Sequence, residues 1–428
     1  MFLVGVSVFA IASAGCSLAA NIHELVAARA VQGFGAAFLV PGSLSIISAS
    51  FSEQERGRAI GTWSGFTSIA TATGPVLGGW LIENASWRWV SFINLPLAAA
   101  VIALSLMRVP ESRINTHTRP DWTGALIVTA GLAGVTYGFI ESANLGWKNP
   151  SVWGTLVVGC ACLIVFVYFE VHARSPIIPL GLFRSPDFTA ANMLTLFLYA
   201  ALGIFFFLFP LNLIEVQHYS ATATGAAALP FILLMFLLSR WSGGLADRFG
   251  AKRPLIVGPI IAAAGFLLFM LPSIGGSYWT TFFPGFVVLG LGMAVSVAPL
   301  TTVVMGAVEQ NHAGTASGIN NAVARVAGLL AIAILGMVVV SAFSHYMNHR
   351  LKELSIPVDA VHEVQSNETS LAAVTVPVGI DPSTAAILRI SIERAFVFGF
   401  RRIMLVCAAL AAASSVFAWC MITASPRR

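Results

Sequence analysis

Twelve stretches of about twenty mostly apolar residues follow one another along the chain, and no other feature limits its fold as strongly. They lie near 1–20, 25–50, 59–82, 89–108, 122–141, 152–172, 188–214, 222–244, 254–272, 278–306, 314–342 and 396–424. Each is long enough to cross a bilayer as a helix, which satisfies its own backbone hydrogen bonds where water is absent. Outer-membrane strands would show shorter segments of alternating hydrophobicity, and these runs are too continuous for that. Of the 428 residues, 57% are apolar and only 10% are charged, whereas soluble domains carry about 25% charged residues. A soluble enzyme, a disordered chain and a disulfide scaffold are therefore excluded. The expected fold is an all-α polytopic membrane protein with twelve spanning helices.

The charges sort by loop. In the short loops and at the C-terminus, Arg56, Arg58, Arg108, Arg113, Arg119, Arg174, Arg184, Arg240, Arg248, Lys252, Arg253, Arg427 and Arg428 fall on one side, and Arg88 and Lys148 on the other; a long translocated loop escapes the charge rule. Thirteen against two places the first set, with the C-terminus, in the cytoplasm. A net charge of +5 then implies no nucleic-acid partner. The long polar segment near 343–395 reads as an external loop. Cys16, Cys160, Cys162, Cys407 and Cys420 sit in apolar runs, with neither zinc nor disulfide spacing. They read as packing residues, and neither a metal nor a cofactor is expected. Residues 1–20 have a rival reading as a lipoprotein-type signal ending near Cys16, but no Lys or Arg precedes the apolar stretch.

An internal repeat organises the runs. Residues 33–61 and 290–318 align without a gap at an offset of 257, with seven identical positions. The pairs include Gly33/Gly290, Gly35/Gly292 and Gly57/Gly314. The same offset lays the ninth run on the first and the eleventh on the third. Parallel repeats of this kind build some transporters. The second half holds six runs and the first half four, with two more between them. The expected division is an incomplete N-terminal bundle at 1–108, two inserted helices at 109–185, and a C-terminal six-helix bundle at 186–428. The repeat predicts two further helices before residue 1; an asymmetric protein is the alternative.

Ionisable residues embedded in a membrane are costly and mark function by default. Arg29 stands in ARAVQGFGAA with Gln32 on the same helical face, and Gly33 begins a run of small residues beside it. Its repeat partner is Phe286, so the architecture does not require a cation there; snorkelling toward the interface is the competing account. Arg325 follows Asn320 and Asn321 in a polar strip that could line a cavity or clamp two helices. TATGPVLGGW carries Gly74, Pro75, Gly78 and Gly79, small residues beside a proline bend that suit close packing at a moving interface. GGLADRFGAKRP carries Gly243, Asp247, Arg248, Gly250, Lys252 and Arg253, either a charge cluster or cytoplasmic cations with one counter-ion. Trp87 and Trp89 flank Arg88 as interfacial anchors. Phe205, Phe206, Phe207, Phe209 and Pro210 suit an apolar cavity or lipid contact equally. No acidic residue falls mid-run; Glu141, Glu170 and Glu215 lie at run ends, leaving no clear protonatable group for proton coupling. No catalytic cluster appears, so an enzyme is not expected.

These segments resemble the major facilitator superfamily, in its fourteen-helix drug:proton antiporter family. RAVQGFGAA at 29–37 looks like that family's helix-four motif, and GPVLGG at 74–79 like its antiporter motif, with Ala70 where a glycine is usual. GGLADRFGAKR at 243–253 resembles the second copy of the superfamily loop motif, with Ala251 in place of a basic residue. SWRWVSFINLP at 86–96 and the helix pair from Asp121 to His172 are similar too. The resemblance implies a two-bundle fold of fourteen helices, twelve of them present here. The absent pair would carry an embedded carboxylate and the first loop motif.

By the same resemblance the protein is a proton-driven exporter of amphipathic, often cationic compounds in a bacterial inner membrane, with protons, substrate and lipid as partners. Arg29 would bias proton release, the antiporter motif would seal one face, and Asp247 with its cations would latch the cytoplasmic side. An exporter of one endogenous metabolite, such as a siderophore or lipid precursor, and an inactive truncated paralogue are the alternatives. A periplasmic adaptor is left open.

Overall fold

The computed structural model describes residues 2–50, 66, 70, 73–109, 121–173, 176–309, 313–353, 361, 364–365, 367–374 and 381–423. All regular structure among the described residues is helical. The chain forms two compact units, Met1–His117 with Ser220–Ile232, and Thr118–Tyr219 with Leu233–Arg428.

The first unit begins with α1 (Phe2–Leu18), α2 (Ile22–Ala37) and α3 (Leu39–Ser50). It continues with α4 (residues 73–84), α5 (Trp89–Phe92) and α6 (Asn94–Arg108). The α1–α2 turn is fixed by a reciprocal cap. Asn21 Oδ1 accepts from the Glu24 amide at 2.9 Å, while the Glu24 carboxylate accepts from the Ala20 amide and the Asn21 side chain. The two helices then approach backbone to backbone. A Cβ on Gly35 would lie 2.6 Å from Phe9 N and 2.9 Å from Gly5 O, so only glycine fits there.

The second unit opens with α7 (Trp122–Leu145) and α8 (Pro150–His172), a hairpin whose helices cross where a Cβ on Gly159 would sit 2.6 Å from Val135 N. Next come α9 (Pro186–Leu211), α10 (Ala221–Ala227, in the first unit) and α11 (Leu229–Phe249). They are followed by α12 (Lys252–Leu268), α13 (Tyr278–Thr281), α14 (Phe283–Gly306), α15 (Ala313–Glu353) and α16 (Pro382–Met421). Helix α9 is the hub of this unit, packed against α15 and α16. Its Phe205 and Phe209 are buried within an aromatic core with Phe266, Phe269, Phe282 and Phe286; ring centroids are 4.7 Å apart for Phe205–Phe269 and 4.8 Å for Phe209–Phe286. The neighbouring Phe206 and Phe207 stay exposed. The phenylalanine cluster thus divides into core and surface along one helix.

The repeat reappears in the packing. Gly292 on α14 is the partner of Gly35, and its Cβ would clash with Ala262 N and fall 2.8 Å from Gly258 O on α12. Ala262 is in turn the repeat partner of Gly5. Each unit therefore uses the same pair of positions to bring two helices into backbone contact.

Eight helices among the described residues are long and apolar enough to cross a membrane, and the protein is a multi-pass membrane protein. The segment read as an external loop is shorter than expected. Helix α15 continues past residue 342 to Glu353, and α16 starts at Pro382 rather than near 396. The start of α16 has a clear cause. Asp381 accepts hydrogen bonds from the Ser383 and Thr384 amides, and Pro382 occupies the first helical position. Those bonds, the Ser383 hydroxyl first among them, hold the Asp381 carboxyl below its ordinary range.

Candidate functional site

Arg29 anchors a chain of hydrogen bonds that crosses the first unit. Its Nη1 donates to Gln32 Oε1 at 3.0 Å. Gln32 is only 5% exposed and turns its Nε2 to Ser13 Oγ, again at 3.0 Å. Asn94 Nδ2 donates to the same Ser13 oxygen at 3.0 Å, and Ser13 Oγ donates to Ser91 O at 2.9 Å. The Ser13 hydroxyl is fully buried and thereby uses its one proton and both lone pairs. The chain joins α1, α2, α5 and α6 and ends on a guanidinium that remains exposed. Beside it, a Cβ on Gly33 would meet nothing within 4 Å.

The polar strip on α15 divides. Asn320 Nδ2 donates to Thr195 Oγ1 at 2.7 Å and Asn192 Oδ1 at 3.2 Å on α9, a clamp between two helices. Asn321 donates to Ser317 O on its own helix, and both Asn321 and Arg325 are exposed.

The glycines of α4 also divide. A Cβ on Gly79 would clash with Ala221 O and lie 3.0 Å from Thr222 Cα, at the start of α10. A Cβ on Gly225 would in turn clash with Pro75 O. Gly74 and Gly78 have nothing within 4 Å of an added Cβ. One turn beyond Gly79, Glu83 accepts from Thr222 Oγ1 at 2.5 Å and Thr222 N at 3.2 Å. The Thr222 hydroxyl is the main cause of a Glu83 pKa below the ordinary 4.5, helped by the Thr222 amide and Ser220.

Gly243, Asp247 and Arg248 lie on α11, and their side chains fall outside the described ones. Gly250, at φ 71°, turns the chain into α12 through a left-handed conformation that suits glycine. Lys252 and Arg253 occupy the first turn of α12 and make no ion pair among the described residues. A helix N-terminus disfavours cations, so local helix electrostatics does not explain their position.

Four features escaped the sequence reading: the Ser13 hub, Asn94, the Glu83–Thr222 link, and Glu393. Glu393 is buried on α16, 3.2 Å from His218 Nε2 and 3.6 Å from Arg389 Nε. The Arg389–Glu393 spacing was its only sequence signal. Glu170, by contrast, is accounted for structurally, since its carboxylate accepts from the Ile177 and Ile178 amides.

Residues 1–332 match the profile of the Major Facilitator Superfamily. The chain is 34% identical over 361 residues to the multidrug resistance protein Stp of Mycobacterium tuberculosis, covering 83% of this chain and 66% of that protein. It therefore spans just under two thirds of that relative's length. It is 31% identical to the methylenomycin A resistance protein of Bacillus subtilis, over 79% of this chain and 73% of that one. It is 29% identical to the tetracenomycin C resistance and export protein of Streptomyces glaucescens, over 88% and 70%. Among solved structures, an auto-inhibited peptide transporter of the POT family superposes with a TM-score of 0.59 at 13% identity, over 99% of this chain and 82% of that one. A bacterial homologue of the human lysosomal transporter Spinster gives 0.56 at 17%, over 98% and 81%. At such identities the likeness is one of fold.

Proposed function

The chain belongs to the major facilitator superfamily of membrane transporters, and from that premise we propose that it exports amphipathic, often cationic compounds in exchange for protons by alternating access. The reading places twelve spans in a bacterial inner membrane, with the C-terminus cytoplasmic and the bundles divided at 1–108, 109–185 and 186–428. Relatives named for resistance to several drugs, to methylenomycin A and to tetracenomycin C support a drug-sized substrate.

The observation that carries the proposal is the hydrogen-bonded chain from Arg29 to Asn94. A permanent cation in an apolar helix is held in place by a buried amide whose orientation is fixed by Ser13 on α1, itself bonded to α5 and α6. Such a cation lowers the pKa of a carboxyl brought near it and so favours proton release. Asn320, Asn321 and Arg325 would contribute to the substrate path on α15. Gly74, Pro75, Gly78 and Gly79 would seal one face of the transport cycle, Pro75 and Gly79 through their contacts with α10, and Asp247 with Arg248, Lys252 and Arg253 would latch the cytoplasmic side.

The test is efflux of ethidium and a panel of unrelated cations from cells expressing the protein, under an imposed pH gradient, with and without Arg29→Ala. The substitution is expected to slow efflux roughly tenfold or more, the loss of one charge-assisted interaction. Undiminished, still proton-coupled efflux removes Arg29 from the mechanism. Transport of one compound alone would favour the second reading, a dedicated exporter, which the single-antibiotic names of some relatives support.

A further inference from the structure

Helix α16 carries an excess of cations that the transport reading does not use. Arg389, Arg394, Arg401 and Arg402 lie on its first half, against one carboxylate, Glu393. That carboxylate is already engaged by His218 and Arg389. Arg394 makes no ion pair among the described residues. Arg401 donates to Leu271 O and Pro272 O at 3.4 and 3.0 Å, yet its Nε is buried with no hydrogen-bond partner.

Arg394 and Arg401 both line an open cavity of about 420 Å³ beside the middle of α16, bounded by the turn after α12. Ser273, Ile274, Tyr346 and Phe398 complete its wall. Two of these are a paired aromatic surface, with Tyr346 and Phe398 centroids 5.6 Å apart. Arg402 lies 4.3 Å over the other contact of that surface, the Phe398 ring. The loop side is held firmly. Gln217 donates to Ser273 O at 3.0 Å and accepts from the Gly275 amide at 2.9 Å, while Arg401 ties down the two carbonyls before it. The cavity is therefore preformed, with the Arg394 and Arg401 guanidiniums and the apolar side chains of Ile274, Val397 and Phe398 in one wall.

We propose that this cavity binds a phosphate-type oxyanion carried by an amphiphile, a lipid headgroup with its glycerol and first methylenes against Ile274 and Phe398. Arginine suits the role because its planar fork donates two parallel bonds to a phosphate. An unpaired buried donor such as Arg401 Nε costs free energy until an acceptor reaches it. The apolar wall beside the cations distinguishes a lipid from a free anion.

The test uses the purified full chain in detergent micelles, titrated separately with dioleoyl phosphatidylglycerol, dioleoylglycerol and inorganic phosphate. Bound adducts are counted by native mass spectrometry, and the thermal unfolding midpoint is followed in parallel. Phosphatidylglycerol is expected to bind and to raise the midpoint, and dioleoylglycerol to do neither. Arg394→Gln is expected to weaken phosphatidylglycerol binding roughly tenfold, the loss of one charge-assisted hydrogen bond. Arg394 makes no described structural ion pair, so this variant tests the site without undoing the loop that Arg401 holds. Binding of inorganic phosphate with equal affinity, lost in Arg394→Gln, keeps the oxyanion site and assigns it to a soluble anion. Equal binding of phosphatidylglycerol and dioleoylglycerol, or unchanged binding in Arg394→Gln, overturns the proposal.

Discussion

Ser13 illustrates how a small side chain can control a large one. Its hydroxyl is the point at which the Gln32 and Asn94 amides meet, and it alone connects both to the Ser91 carbonyl. Replacing it by alanine leaves buried amide donors without their acceptor, at about 1–3 kcal/mol for each orphaned group. Ser13→Ala is therefore expected to lower the thermal midpoint by several degrees, and to slow efflux by freeing Gln32 to turn its oxygen away from Arg29. Adding Gln32→Leu should recover part of the lost stability, since removing both partners costs less than removing one. Additive losses in the double variant would show that the two side chains act independently. Arg29 and Gln32 were legible in the sequence because a guanidinium in an apolar run is conspicuous. Ser13 was not, because serine is common in membrane helices and only its neighbours in space give this one a role. Glu393 was missed for another reason: its segment is polar enough to read as loop, and burial comes from elements distant in sequence.

At the scale of helices, the antiporter-like segment is two different surfaces on one element. Gly79 is pressed against α10, where an added Cβ has no room beside Ala221 and Thr222, whereas Gly74 and Gly78 face open space. Gly79→Ala should therefore cost about 1–3 kcal/mol through overpacking, or force α4 and α10 apart. Gly78→Ala should be neutral or stabilising by up to about 1 kcal/mol, because glycine is the poorer helix former. Thermal unfolding of the two variants checks the stability difference, and efflux reports whether the open glycines are needed for motion. A Gly78→Ala variant that is stable but inactive would place Gly78 in a contact made in another conformation. The spacing of small residues was readable from the sequence, but which of them touches a backbone was not, because that depends on the rotation of one helix against another. The ends of α15 and α16 were misjudged for a related reason. Hydropathy finds apolar segments, and both helices continue into amphipathic turns that bury Leu351, Leu388 and Ile392 and expose Glu353, Arg389 and Arg394. The Asp381–Pro382 start of α16 was visible in principle as a capping signal.

For the whole molecule, the strongest sequence statement is the uneven distribution of Lys and Arg over the short loops and the C-terminus, thirteen on one side against two on the other. The described structure adds local geometry to it. In the proposed topology the α11–α12 turn, with Lys252 and Arg253 on the first turn of α12, belongs to the cation-rich side. The turn after α12, with Gly275 and Gly276 at positive φ, belongs to the other. In the proposed twelve-span topology α12 crosses the membrane between them, so their labelling is expected to be opposite. With the five native cysteines replaced by serine or alanine, a single cysteine at Gly275 is expected to react with a membrane-impermeant maleimide added outside intact cells. A single cysteine at Lys252 should react only after permeabilisation. Gly275 tests the strained turn as well as the orientation, because its φ of 83° disfavours any side chain, so a parallel cysteine at Ser277 guards against local distortion. The reverse pattern would invert the topology and put the α16 arginines on the cytoplasmic side, where the charge rule alone would account for their number. The expected pattern leaves those arginines on the side where that rule supplies no reason for them, which strengthens the case that they are retained for a bound anion.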